Sequence, residues 1–431
     1  MAVTGVAGAE GAAQAQTSEP SATSSVQVQG APQEPAALDA GGNHLGLKPL
    51  LAGTGISLVS RYVSETAWNA TGGKRRDITE AGELDIGAEF DLQRLAGTDG
   101  TFKAMITYRR GSQLDRRAGL GTLQEVQEIY GRGHAWRLTQ FWYEQRIHQG
   151  AIALKVGRTS PGEDFATFSC SFQNLSFCGS QPGNLVTDYW YNWPISQWGA
   201  RLRIKRGGAY VQIAAYEENP RNLDDRFALG RFSGATGVLV PLEIGITSAG
   251  ETGGPVDSYK IGGWLSTADA PDVLLDANGR TSTLSDLPPL QRKSAHGFWL
   301  SLQQQLTGRS RGGESVSGLS VFANITLADR RTSMIDNQVA IGLFKKRVMP
   351  SMGDDELGLG LVRTHINDRF VRGEELAGRY GPGSEYAVEL YYGFRPVDWV
   401  VLRPNLQWIH RSGGRRFAPV GVLGLKAVFT F

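Results

Sequence analysis

The sequence predicts an all-β protein, a transmembrane antiparallel β-barrel of about 16 strands with a disordered N-terminal extension. Three observations carry that prediction. The stretch Gly421 to Phe431 sets Leu423, Leu425, Ala427, Phe429 and Phe431 on one parity and Val422, Lys426 and Thr430 on the other. No apolar run approaches the roughly 18 residues that a spanning helix requires, which leaves a closed barrel as the spanning structure. Runs of roughly ten alternating residues follow one another from Thr54 to the C-terminus, separated by Gly, Pro, Asp and Asn clusters.

Composition agrees. Hydrophobic residues make up 41% of the 431 and the mean hydropathy is -0.25, too polar for a helical membrane protein. The 56 glycines and 9% aromatics suit turns and interfacial rings. The 44 basic and 42 acidic residues leave a net charge of +2, which argues against a nucleic-acid partner and for charges of both signs around a common polar space.

Residues 1–50 are rich in Ala, Gln, Pro, Gly and Ser and lack core-forming side chains, so they read as a signal remnant and a disordered periplasmic extension. Ala13-Gln14-Ala15 resembles a signal-peptidase site, with maturation after Ala15. Residues 51–431 read as the barrel domain.

In chain order the expected strands are 54–62, 81–91, 101–109, 136–147, 151–158, 197–206, 209–217, 238–247, 257–266, 295–306, 317–327, 337–345, 356–364, 384–394, 399–410 and 419–431. Short turns near Gly97–Gly100, His148–Gly150, Gly207-Gly208 and Pro396–Asp398 alternate with long loops at 63–80, 110–135, 159–196, 219–237, 267–294 and 365–383. Loops sorted by length mark a membrane barrel. Within the strands one parity is apolar and the other polar. Leu84, Ile86, Ala88 and Phe90 oppose Glu83, Asp85, Glu89 and Asp91; Ala200, Leu202 and Ile204 oppose Arg201, Arg203 and Lys205. Phe298, Leu300 and Leu302 oppose Trp299, Ser301, Gln303 and Gln305; Tyr386, Val388, Leu390 and Tyr392 oppose Glu385 and Glu389; Val400, Leu402, Leu406 and Trp408 oppose Arg403, Asn405 and Gln407.

The polar parity defines an expected lumen. It has a basic sector (Lys103, Arg109, Lys155, Arg201, Arg203, Lys205, Arg403) and an acidic one (Glu83, Asp85, Glu89, Glu385, Glu389). Opposed sectors set a transverse field across a water-filled passage. Trp142 and Trp299, beside Glu144, Arg146, Gln303 and Gln305, add apolar faces and hydrogen-bonding groups of the kind a pyranose requires, interfacial girdle positions being the other reading for each Trp. Loop 159–196 carries Phe165, Phe168, Phe172, Phe177, Tyr189, Trp190, Tyr191 and Trp193, too aromatic for solvent, and is expected to fold inward and narrow the pore, with a surface cap as the bland alternative. It holds both cysteines, Cys170 and Cys178, whose spacing fits neither a zinc site nor a redox dithiol. A disulfide made in an oxidising compartment is one reading and two unrelated buried thiols the other.

Several of these segments resemble a known family. Phe177 to Asn184 (FCGSQPGN), then Trp193-Pro194 and Trp198-Gly199, is similar to the loop-to-strand region of the carbohydrate-selective outer-membrane porins of the OprB type. Trp142 to Gln145, Asp354 to Gly360, Glu385-Tyr386 and Leu402 to Gln407 resemble further segments of that family in consistent order over residues 54–431. The resemblance implies a sixteen-stranded barrel that passes glucose and similar small sugars by facilitated diffusion through a charged and aromatic constriction, in the outer membrane of a Gram-negative bacterium. The implied partners are small sugars, outer-membrane lipids and the barrel-assembly machinery acting on the last strand; a homo-oligomer is compatible with the sequence.

Other functions find less support. The histidines His44, His134, His148, His296, His365 and His410 form no catalytic motif, so no enzyme is expected. Gly119 and Gly121 lack a following helix pattern, Asp354, Asp355 and Glu356 read as a solvated turn, and neither a cofactor nor a metal is expected. A general diffusion porin for small polar or anionic solutes, or a plugged adhesin barrel, remains the alternative.

Overall fold

The computed structural model describes residue 51 and residues 54–431, apart from 131–132, 225–226, 228, 231–232, 250–254, 312–313, 350, 352 and 380. The expectations for residues 1–50 therefore lie outside the described residues.

The regular structure of the described chain is mainly strand: β1 (Ile56–Thr71), β2 (Ile78–Asp91), β3 (Gly100–Gly111), β4 (Ala135–Ile147), β5 (Ile152–Thr159), β6 (Gln197–Arg206), β7 (Ala209–Glu218), β8 (Gly237–Ala249), β9 (Val256–Ser266), β10 (Ala270–Asp276), β11 (Pro289–Arg292), β12 (Ala295–Gln305), β13 (Arg309–Arg311), β14 (Glu314–Ala328), β15 (Ile335–Lys346), β16 (Glu356–Ile366), β17 (Ser384–Val397), β18 (Val400–His410) and β19 (Val420–Thr430). β10 and β11 pair with each other in an outer loop, and β13 is a three-residue extension of the β12–β14 hairpin. The remaining sixteen form one antiparallel sheet in chain order. It closes where β1 pairs with β19, from Arg61 opposite Thr430 to Thr71 opposite Gly421.

Closure follows from the solvent. A lipid core offers no hydrogen-bond partner, so an open edge would leave a row of unpaired amides. The side chains obey the same logic: Leu242, Ile244, Leu390, Leu406 and Leu425 point outward and exposed, whereas Glu243, Glu389, Gln407 and Lys426 on the opposite parity are buried within the lumen. Tight inward packing explains part of the glycine content. A Cβ at Gly262 would collide with the Trp299 ring, and one at Gly358 with Tyr391.

All sixteen expected strands exist, with two changes in detail. β1 runs on to Thr71, so the expected loop 63–80 shrinks to residues 72–77. Its outward parity, Ser60, Tyr62, Ser64, Thr66 and Trp68, is largely polar, and its inward parity mixes Val63 and Ala67 with Glu65 and Asn69. No clean alternation marks the strand. The expected loop 267–294 in turn contains the β10–β11 ribbon.

Lipid-face burial makes a direct prediction. Leu390, 42% exposed and mid-strand in β17, should tolerate Ala, whereas Leu390→Arg should cost roughly 2–4 kcal/mol. Urea unfolding in lipid vesicles, followed by the folded-to-unfolded gel-mobility shift, measures both; equal midpoints would place this face out of the membrane.

Candidate functional site

Two long loops descend into the barrel. Loop 160–196 leaves β5 through a helical turn, Pro161–Asp164, whose first amides are closed by a Ser160/Glu163 capping box. Asp164 then meets the wall: Lys155 Nζ lies 3.0 Å away, the Tyr216 hydroxyl donates at 2.9 Å, and Arg201 pairs with the same carboxylate. Burial alone would push this carboxyl up, but Lys155 and Arg201 outweigh it and hold it at about 2.

Farther along, the amide of Ala166 donates to Glu243 (2.8 Å), which also receives the Tyr210 hydroxyl and the Trp299 indole N–H. Lys260 donates to the Thr167 carbonyl at 2.7 Å. On the far side the amides of Gln173 and Asn174 donate to Glu389 at 2.8 and 2.7 Å, and Lys426 donates to the carbonyls of Cys170 and Phe172. Asn405 and Gln407 bind the side chains of Gln173 and Asn174. Phe172 packs against Phe177, Phe322, Phe344 and Tyr391. Cys170 and Cys178 form a disulfide, with Cα atoms 4.4 Å apart. The loop is thus strung from the β5–β9 wall to the β17–β19 wall.

Loop 112–134 fills the space beside β1 and β19. The Leu123 amide donates to Glu385, Gln407 donates to the Val126 carbonyl, and Glu128 pairs with Lys426 at 2.8 Å.

The residues singled out by parity therefore divide. Glu389, Asn405, Gln407 and Trp299 face inward but are enclosed beneath the loops; Trp299 is 1% exposed. Glu385 is likewise used up in holding loop 112–134. Arg403 is buried too. Gln305 is buried at the turn end, where it binds the carbonyls of Thr307, Arg309 and Ser317, a brace for the β12–β14 hairpin. Glu83 and Asp85 form a buried ladder with Arg61 and Arg109 across β1–β3. Lys155 and Arg201 are buried against Asp164. Solvent reaches the others: Lys103, paired with Glu89 at 3.2 Å, Trp142, Glu144, Arg146, Arg203 and Gln303.

These accessible groups are held in place. Trp142 lies under Lys155, whose Nζ is 4.5 Å from the ring centroid. Glu144 pairs with Arg201, Arg146 with Asp99 at 2.7 Å, and Arg203 stacks over Tyr210 while donating to Gln212. Glu243, Lys260, Asp164 and Arg61 were absent from the sequence-derived set. Parity could have found Glu243, which alternates with Leu242 and Ile244; Asp164 sits in a loop and carries no periodic signal.

Comparison with known proteins adds the family. The model for the carbohydrate-selective porin, OprB family, matches residues 75–431. The chain belongs to the carbohydrate-selective porins. Porin B of Pseudomonas aeruginosa is 40% identical over 388 residues, covering 84% of each chain. The high-pH structure of Pseudomonas putida OprB superimposes with a TM-score of 0.85 at 37% identity, over 90% of this chain and 97% of that one, and the low-pH structure with 0.57 at 27%. This porin is accordingly an outer-membrane channel, and its family transports carbohydrates.

Two outcomes follow from the loop anchors. Glu389→Ala leaves the amides of Gln173 and Asn174 buried without their acceptor, at roughly 1–3 kcal/mol each, so the loop should detach and single-channel ion conductance rise; unchanged conductance would mean that other contacts hold it. The carboxyl of Asp164 is depressed below its usual value, so its contribution is complete above about pH 4 and lost as pH falls through about 2. Asp164→Asn should therefore show a conductance different from the parent's at neutral pH, and the difference between the two should close only as pH falls through about 2.

Proposed function

We propose that this porin gives small neutral sugars, glucose-like monosaccharides, facilitated diffusion along the β3–β6 wall. Lys103, Trp142, Glu144, Arg146 and Arg203 line that path. The observation that carries the reading is the pairing of charges beside an aromatic face. Lys103 is neutralised by Glu89 and Arg146 by Asp99, and Arg203 is braced by the neutral Gln212 and Tyr210, so the passage offers many donors and acceptors with part of its charge cancelled. Ions gain little there, while a pyranose exchanges its water for carboxylate and guanidinium partners. Its C–H face fits the ring of Trp142, whose position Lys155 fixes.

The same geometry supports two finer readings. The outward face of β19, with Leu423, Leu425, Ala427 and Phe429, fits recognition by the barrel-assembly machinery. The closed lumen of one chain supports a complete path within one copy, whether or not the barrel associates further.

Planar-bilayer recording tests the reading. Millimolar glucose should block the current, and millimolar affinity corresponds to only about 4 kcal/mol. Trp142→Ala should weaken that block roughly five- to tenfold, in line with an aromatic contact of about 1 kcal/mol. If glucose leaves the current untouched, a general diffusion porin is the better reading; if Trp142→Ala is blocked as the parent is, the assignment of the sugar path to Trp142 fails.

A further inference from the structure

Charge around the outer rim is unevenly neutralised. Over β9–β17 several loop cations sit on carboxylates: Arg292 and Arg369 on Asp272, Arg330 on Asp336 and Asp368, Arg331 on Asp329, Arg379 on Glu374. Over β1–β3 the balance is different. Lys74, Arg75, Arg76, Arg110, Arg116 and Arg117 are all exposed, and among the described residues the carboxylates they contact are Asp77 and Glu80, at distances of 3.1–3.6 Å.

The patch is built rather than incidental. The amides of Lys74 and Arg75 donate to the Ala118 carbonyl, which ties loop 72–77 to the turn carrying Arg116 and Arg117. Buried Asn69 donates to the carbonyls of Gly72 and Arg75 and fixes the loop from beneath. Arg110 points outward from the end of β3, donating to the Tyr62 hydroxyl at 2.8 Å. Directly below lie outward-facing apolar groups: Ile78, 63% exposed, Trp68, and the stacked pair Tyr108 and Trp136. An occupant therefore meets cations above and an apolar wall below. This is the boundary between the lipid core and its headgroups.

We propose that this face binds a phosphate-bearing lipid headgroup of the outer leaflet, its phosphates on Lys74, Arg75, Arg76, Arg110, Arg116 and Arg117 and its acyl chains along Trp68, Ile78 and Trp136. Arginine forks match phosphate oxygens bidentately. Free inorganic phosphate shares the headgroup chemistry but has no use for the apolar wall.

Native mass spectrometry of the detergent-solubilised porin provides the test, with bis-phosphorylated lipid A, the same lipid after phosphatase treatment, and inorganic phosphate as separate probes. The bis-phosphorylated lipid should bind, and Arg75→Gln/Arg76→Gln/Arg117→Gln should weaken it about tenfold or more. The control Arg330→Gln/Arg331→Gln on the far side of the same rim should stay within about twofold. Gel mobility confirms that each variant is folded, and Lys74→Gln/Arg116→Gln, which removes no contact to the barrel wall, repeats the measurement if the triple variant is not. Equal binding in parent and patch variants overturns the proposal, as does equal binding of the phosphatase-treated lipid. Inorganic phosphate binding as tightly as the lipid would make this a free-anion site and also overturn it.

Discussion

Everything in this molecule depends on one constraint: in hydrocarbon, each backbone amide and carbonyl must find its partner within the protein. Sixteen strands meet it through the β1–β19 pairing, whose register runs from Arg61 to Thr71 of β1 and along nearly the whole of β19. Once that seam is fixed, the parity of every residue is fixed as well, because a one-residue slip would turn the lumenal face of a strand to lipid. Lys426 shows what is at stake. In register it meets Glu65 and Glu128 inside the barrel; one residue out, an ammonium would face acyl chains.

The lumen then poses the opposite problem. A barrel of this width is wet unless filled, and here it is filled on one side by loops whose own backbone must be satisfied. Carboxylates do that work. Glu243, Glu385 and Glu389 each accept loop amides, and the cations Lys260 and Lys426 donate to loop carbonyls. Hydrogen bonds to charged groups are worth more than neutral ones, and losing one partner strands the other in a dry site. The loops are consequently part of the wall.

The sequence disclosed the barrel readily because membrane strands alternate with period two. Sixteen strands were legible by that rule, and β1 was truncated where Ser60, Ser64 and Thr66 interrupt it. The site was legible only in direction. Parity tells which way Glu389 and Trp299 point, but not that loop amides or an aromatic layer cover them, because those contacts join residues more than a hundred positions apart. The aromatic richness of loop 160–196 was the available signal for that cover. Which wall the loop would seal, and hence which charges stay wet, depends on anchors such as Asp164, and nothing periodic marks a loop residue.

A barrel of this kind hosts many selectivities, so fold by itself says little about solute. What distinguishes this lumen is how its charges are spent. Glu83, Asp85, Glu243, Glu385 and Glu389 are buried on the inward parity, and each is engaged by a guanidinium, a hydroxyl or backbone amides before any solute arrives. A passage whose acids are already engaged presents hydrogen-bonding geometry in place of a strong field. Small polyols, which carry many hydroxyls and no charge, lose least on leaving water in such a place, and an ion, whose hydration is far harder to replace, loses most. On the proposed path, selectivity for neutral carbohydrate would follow from the same bonds that hold the loops in the lumen.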